Sequence, residues 1–578
     1  MVLHLRTALA FALVAICPIA FGQKYAKTLW EHDLETNGED DRHKFVVDIA
    51  GPDTIWVGEV WYFFGDRDIY VERLRPDGTV VWSNTFRKPQ TAFHLVQAAE
   101  AGSNGNVVIM AKAASSDLTA EVGSSYFLRL DPDGNVLATG DYDLGHNYIS
   151  GMEIGGNGNI FLVYGRNYNT YSLVKLDQQF GHLWTRHLGA YGTSIENVDA
   201  PHIMESGDIL VAGATGYQGE PVRLDRYTSQ GNNVFTRTFG DGERPKAFGS
   251  SAGNTYLSFY DTSGQADVAR LLRLDAAGNT VWNHTDPDVK EAFIAQLSTG
   301  DLVVAGRTEP SIFDRSYKIA RVTEDGATVW ADHRPPGNAD FTKVRGLTVG
   351  PDDIIYTIGS SGGMVTETWH VISHAANGTL LYDWLLMDFL GQVNLPFAWV
   401  AESGGVLTIG GDYGSTNIYE LPELYVRKLQ AESKWLPIVA SVARGALVQG
   451  GVLGLGHDDG LLYIVENRPT IRGAAPISVE VGGFVGLGYP ANEVEFSVIS
   501  SGDSRMLQAV ELWNWRTLAW ERRTLRWTDT VESTSTTNGL VSDNIHPVTG
   551  AVAARINVWG NRFRYQVSVD QAAWYVRP

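Results

Sequence analysis

The sequence predicts an all-β chain, an eight-bladed β-propeller closed by its N-terminal strand and followed by a C-terminal β-sandwich. Three observations predict it. A hairpin of fixed pattern recurs along about four hundred residues, a second series of apolar strands lies between its copies, and both stop near residue 433.

The hairpin is clearest at Arg270–Trp282, where an apolar strand, a turn closed by glycine and a second strand ending in tryptophan follow one another. Its glycines are Gly78, Gly134, Gly181, Gly231, Gly278, Gly326 and Gly378, at spacings of 56, 47, 50, 47, 48 and 52 residues. Pairs such as Asp133-Gly134 and Asn377-Gly378 suit the positive φ of a tight hairpin turn. Between hairpins run strands such as 106–113, 159–165, 208–214, 254–260 and 301–307, each preceded by another short strand. Four strands in about fifty residues is the propeller unit. The strand at 424–429 has no fourth strand after it, and Lys27-Thr28-Leu29-Trp30 resembles Thr280-Val281-Trp282, so the N-terminal strand is expected to complete the last unit. Seven blades is the alternative. The blade tryptophans Trp82, Trp184, Trp282 and Trp330 are expected to pack between blades, where large flat side chains fill wedge-shaped gaps.

The expected domains are residues 1–22 as a secretory leader, 23–433 as the propeller and 434–578 as the sandwich. The leader reading rests on Arg6, the apolar run from Ala8 to Ile16, and Ala20-Phe21-Gly22 as a small-x-small cleavage site. That run is too short to span a bilayer, so a secreted, periplasmic or cell-surface protein without a membrane span is expected. Cys17, the single cysteine, lies inside the leader, which removes disulfides, cysteine nucleophiles and thiolate metal sites from the mature chain. The net charge is −21. From Lys434 onward 13 basic and 13 acidic residues cancel, so the acidic excess belongs to the repeat region. Such a field disfavours nucleic acid and suits cations, basic partners or neutral glycans. In the tail, Ser533–Gly539 reads as a Ser/Thr-rich loop.

The Asp-Pro-Asp-Gly of 131–134 and the Asp-Gly-x-x-Val-Trp of 325–330 resemble the repeats of secreted bacterial propellers and, more loosely, the tryptophan-docking repeat of pyrroloquinoline-quinone-like propellers. The resemblance covers residues 24–430. The tail, with His457-Asp458-Asp459, Trp513-Asn514-Trp515 and Asp570-Gln571-Ala572-Ala573-Trp574, resembles a module found on secreted proteins of environmental bacteria, and implies modularity without adding a catalytic role. Eight-bladed quinone-dependent dehydrogenases share the layout, but the resemblance to them implies a vicinal disulfide and a calcium site that this sequence does not supply. No cofactor and no metal site are expected.

Other motifs read as scaffold. Gly-x-Ser-x-Gly occurs around Ser251 and Ser361, but neither is followed by the helix that a nucleophile elbow requires. His370 and His374 share a strand face too far apart to share an ion. Asp131, Asp133 and Asn135 lack the remaining ligands of a calcium loop and read as turn chemistry. The long connections that emerge on one side of the blades remain. They carry the candidate ligand-binding residues Trp61, Tyr62, Phe64, Asp66, Arg67, Asp141, Tyr142, His146, Asn167, Tyr168, Tyr217 and Tyr413. Rings stack on apolar faces of a ligand while carboxylates take hydroxyls or charge, so the expectation is a binding protein for a glycan, a protein or a cation. The alternative is an extracellular enzyme, a quinone-type oxidoreductase or a polysaccharide lyase or hydrolase.

Overall fold

A computed structural model describes residues 23–33, 46–50, 53–61, 66–102, 105–114, 124–142, 147–166, 170–189, 198–214, 221–250, 253–262, 268–286, 289–311, 314–334, 341–362, 367–385, 394–402, 406–413, 424–435, 439–449, 455, 463–468, 474–485, 493–528, 530, 533–547, 549–560 and 564–577. The chain is almost wholly β, and it divides into two compact units, of which the first holds residues 28–378 and 384–429.

That unit is a β-propeller, a succession of antiparallel four-stranded sheets. The first is Val46–Ala50, Asp53–Trp61, Arg67–Leu74 and Val80–Phe86; the next is Phe93–Ala101, Val107–Ala114, Ser124–Leu130 and Val136–Tyr142. The pattern repeats from Asn147–Ile154 to His182–Gly189, from Val289–Gln296 to Thr328–Arg334 and from Phe341–Val349 to Leu380–Leu385. Two consecutive units merge into a seven-stranded sheet because the 17-residue strand Asn233–Gly249 ends one and begins the next. Asn394–Glu402, Val406–Tyr413 and Leu424–Trp435 form the last, and the N-terminal strand Gln23–Asp33 pairs with Leu424–Trp435. The first strands of successive sheets lie against one another, and Asn394–Glu402 lies against Val46–Ala50.

One interlock joins neighbouring sheets. The ring at the third position of a fourth strand lies over the turn glycine of the following sheet. There the indole N–H donates to the carbonyl two residues before that glycine. Trp82 Nε1 reaches Pro132 O at 2.8 Å, Trp282 Nε1 reaches Glu324 O at 2.6 Å and Trp330 Nε1 reaches Ala376 O at 2.9 Å. A third-strand arginine donates to the same carbonyl: Arg73 to Pro132 O at 2.6 Å, Arg273 to Glu324 O at 2.8 Å and Arg321 to Ala376 O at 3.0 Å. Glycine is required twice over at the turn. Gly134 has φ of 80°, and a Cβ there would lie 2.9 Å from the Trp82 ring.

One copy of the interlock is inverted. The turn after Thr170–Leu176 puts Phe180, not Gly181, at the positive-φ position, with φ of 65°. The φ that the sequence assigns to a glycine is carried here by a bulky residue, normally an outlier. The compensation lies across the junction. The preceding fourth strand has Ala138 where other sheets have tryptophan, phenylalanine or tyrosine, and the buried Phe180 ring shares one apolar cluster with Ala138 and lies 5.3 Å from Phe127. The aromatic ring has moved from one side of the joint to the other.

The second unit includes residues 430–578 and is a two-sheet sandwich. One sheet has the order Val439–Arg444, Ile477–Phe484, Ala551–Gly560, Met506–Asn514, Ala519–Thr528. In the other, Gln566–Arg577 pairs with Glu493–Gly502, which pairs with Ser533–Leu540. Val479, Val510, Ile556, Phe496, Val567 and Trp574 fill the space between the sheets. The Ser/Thr-rich segment is therefore a strand and not a loop. Its side chains alternate, with Ser535 and Thr537 buried, and β-branched threonines suit that half-buried surface. A single turn of helix, Val541–Asn544, follows it.

The inverted joint gives a double-mutant test. Phe180→Gly alone leaves a hole and should cost about 2–4 kcal/mol, and Ala138→Trp alone overpacks and should cost about 1–3 kcal/mol. The double variant restores the common arrangement and should unfold close to wild type in urea, so the two effects are strongly non-additive. Additive losses would show that Phe180 does not occupy the tryptophan's place.

Candidate functional site

The long connections lie at the opposite ends of the strands from the docked turns, and several expected site residues fall among them. Tyr62, Phe64, His146, Asn167, Tyr168 and Tyr217 lie outside the described residues, and Trp61 and Tyr413 are placed only as the last residues of their strands. Asp66, Arg67, Asp141 and Tyr142 are described, and the first three join one polar network across the first two sheets.

Two cations and a buried histidine organise this network. Arg87 donates to Asp68 at 2.5 Å and to Asp66 at 3.1 Å, while Lys88 Nζ donates to Asp141 at 2.6 Å and Ser124 at 2.9 Å. Asp141 remains exposed and sits on the solvent side of its ion pair. Arg67 has a different place from the one the sequence suggests. Its side chain is buried and 3.5 Å from the carboxylate of Glu59 on the neighbouring strand of the same sheet. Tyr142 is half-buried and stacks on His182 of the following sheet at 5.7 Å.

His94 sits beneath this network without solvent exposure. Its Nδ1 is 2.8 Å from Arg67 O, which can only accept, and its Nε2 accepts from the Lys88 N–H at 2.9 Å. Both contacts are satisfied by the neutral ring with its proton on Nδ1. Burial pushes its pKa below the ordinary histidine value, against the pull of the Arg67 carbonyl and Asp68.

A second group of charges lines the first strands. Each such strand is a sheet edge whose outward N–H groups need acceptors. Carboxylates from the preceding sheet supply them: Glu59 accepts from Val96 N–H at 2.6 Å, Glu153 from Ile203 N–H at 2.5 Å and Asp199 from Ala247 N–H at 3.3 Å. Lys246 closes on Asp199 at 2.6 Å. Burial raises the Glu153 pKa to about 7, the Ile203 N–H opposes the rise, and Asp199 adds to it. His202 lies in the same region, 5.1 Å from the Phe248 ring, and burial lowers its pKa. Nothing in the sequence distinguishes Glu153 from other strand glutamates, because its neighbours belong to other sheets.

The remaining motifs are scaffold. Asp131 accepts from Asp133 N–H at 2.9 Å and Asn135 N–H at 2.8 Å, closing its turn. His374 is buried, 2.8 Å from Asp332 and stacked on Trp330. Ser361 lies within the strand Ile355–Gly362, and Ser251 lies outside the described residues. Among the described residues, no group of three His, Cys, Asp or Glu is placed to hold a metal ion, and no helix is long and apolar enough to cross a membrane.

No protein-family model matches the chain, and no curated protein matches it. Among solved structures it is similar to the Dos1 propeller, at 11% identity over 70% of this chain and 95% of that one, with a TM-score of 0.42. It is also similar to the polysaccharide lyase Uly1 (13%, 60% and 91%, 0.36) and to puromycin hydrolase (13%, 65% and 60%, 0.37). At these scores the fold rests on the sheet order described above.

Two pH effects of opposite sign follow. Glu153 binds a proton more tightly folded than unfolded, so its contribution is complete below about pH 4.5 and is lost as pH rises through about 7. Glu153→Gln should match wild type near pH 4.5 and exceed it by about 2–4 kcal/mol at pH 8 in urea titrations. His94 binds a proton less tightly folded, so its contribution is present above about pH 6.5 and falls away below it. His94→Gln should flatten the acid limb of the stability profile, and an unchanged limb would show that His94 is not the group responsible.

Proposed function

We propose that this chain is an exported, eight-bladed propeller that binds a glycan or protein through its long-connection face and catalyses no reaction, with the C-terminal sandwich as an accessory module. Eight blades are supported by the run of four-stranded sheets, by the pairing of Gln23–Asp33 with Leu424–Trp435, and by the contact of the first and last inner strands. The leader-like segment Met1–Gly22 supports export.

One observation carries the binding reading: the two ends of the blades are used differently. At one end the turns receive the tryptophan and arginine of the neighbouring sheet and are occupied by scaffold contacts. At the other end the connections differ in length and carry rings and charges, and Asp141 stands exposed beside a lysine that fixes its carboxylate. A carboxylate held in place by a lysine can accept sugar hydroxyls or a basic side chain.

A glycan array with the full chain tests this reading. Binding is expected, and replacing Trp61–Gly65 by a Gly/Ser loop together with Asp141→Ala should reduce it at least about tenfold with the unfolding midpoint unchanged. Binding that survives both changes, or turnover of the bound glycan, would overturn the proposal.

A further inference from the structure

The strand alternation of the C-terminal five-stranded sheet divides its residues cleanly. Along Met506–Asn514, the residues Met506, Gln508, Val510, Leu512 and Asn514 are buried toward the other sheet, so Leu507, Ala509, Glu511 and Trp513 belong to the opposite face. The cross-strand register then fixes which residues share that outer face. Leu507 pairs with Trp527 on one side and Trp559 on the other, Glu511 with Arg522 and Arg555, and Trp513 with Trp520. The outer face thus holds four tryptophans in two rows, separated by a row of charges.

The outward face of an antiparallel sheet is ordinarily polar. Here Trp527 is 59% and Leu525 52% exposed, and no core contact accounts for them. The rings are held in place by cations: the Arg505 guanidinium is 5.1 Å from the Trp527 ring centre, that of Arg522 6.0 Å from Trp559, and that of Arg555 4.1 Å from Trp520. Arg505 and Arg522 are themselves exposed, and Arg505 with Trp527 presents both a ring and a positive charge to solvent. From Leu507 to Trp513 is six residues, so the two rows stand roughly 20 Å apart along the strands. On this face Arg505, Arg522 and Arg555 stand against Glu511 and Glu480: Arg522 lies 3.8 Å from Glu511 and Arg555 2.5 Å from Glu480, while Arg526 turns to the Ser533 and Thr534 carbonyls of the other sheet.

We infer that this outer sheet face binds an acidic polysaccharide, a linear chain of uronic-acid sugars lying along the strands. Indole faces accept the apolar C–H faces of sugar rings, and a guanidinium stacked on an indole is preorganised to take a carboxylate in two parallel hydrogen bonds. Charge complementarity selects the occupant: Arg505, stacked on the exposed Trp527 and in no ion pair among the described residues, offers a positive charge beside an exposed ring, and the three arginines of this face outnumber Glu480 and Glu511. A sparser polyanion, with one carboxylate per sugar, suits a strip with separated arginines. The site is independent of the long-connection face of the propeller.

Affinity electrophoresis of the full chain through gels containing polygalacturonate tests the assignment, with a neutral mannan and duplex DNA as comparison polymers. Polygalacturonate should retard the wild type more strongly than either. Trp527→Ala and Arg505→Ala should each weaken retardation about tenfold without moving the unfolding midpoint, and Trp527→Phe should recover part of the loss. Asp141→Ala should leave it unchanged, which separates this site from the propeller face. Three results would overturn the assignment: no retardation by polygalacturonate, equal retardation of the wild type and both alanine variants, or retardation by DNA or mannan as strong as by the uronate polymer.

Discussion

The indole that docks over a neighbouring turn is the contact on which the repeat depends. A four-stranded sheet of this length buries little surface on its own and is stable only when its faces are covered. Packing alone would leave the sheets free to slide, because apolar contact is not directional. The hydrogen bond from Nε1 to a turn carbonyl fixes the sliding coordinate. The arginine that shares the acceptor carbonyl, as Arg73 shares Pro132 O with Trp82, fixes the tilt. Both donors require the turn to present its carbonyl outward, and the positive-φ residue closing the turn achieves that. Sequence pattern, turn conformation and inter-sheet geometry are therefore one constraint seen at three scales.

The Ala138 and Phe180 joint shows what that constraint demands and what it leaves free. It demands one aromatic ring per junction and a left-handed residue in the turn. It does not fix which sheet supplies the ring. Once the tryptophan is missing, the space a turn glycine leaves open is a cavity, and a phenylalanine in the turn fills it at the cost of an unfavourable φ. The periodic pattern was legible because glycine and tryptophan are chemically unmistakable. The inversion was not, because Gly181 follows Phe180 directly and keeps the spacing intact. Ser533–Gly539 reads as a loop in the sequence for a related reason. Serine and threonine favour turns when solvated, but here they pair with Glu493–Gly502 and alternate between buried and exposed positions.

Much of the acidity of the repeat region belongs to the scaffold. Asp131 and Asp275 close turns, and their neighbouring amides hold their carboxyls below the usual range, the side-chain amides of Asn135 and Asn279 foremost. Glu59, Glu153 and Asp199 accept inner-strand N–H groups that would otherwise lack acceptors. A repeat that uses carboxylates in this way accumulates negative charge in proportion to its copies, whatever it binds. The net charge of −21 is thus weaker evidence for a cationic partner than the sequence suggests, and the location of individual charges matters more than their sum. Of the candidate site residues, Arg67 shows this from the other side: it opens the strand Arg67–Leu74, with its buried side chain against Glu59.

The two units solve the exposure of their aromatic residues in opposite ways. In the propeller, the docked tryptophans are partly buried and their N–H groups are bonded, so their chemistry is consumed by the fold. In the sandwich, the core is complete without Trp520, Trp527 and Trp559: Val479, Val510, Ile556, Phe496 and Trp574 already fill the space between the sheets. The outer tryptophans lie outside that core, Trp520 and Trp559 half-buried and Trp527 exposed, and the exposure of Trp527 carries a solubility cost that its stacked arginine offsets only in part. A feature that the fold does not need and that works against solubility calls for a use outside the fold. Surface aromatics already stacked on cations lose little freedom when a ligand arrives, which is the condition under which a flat sheet face binds well.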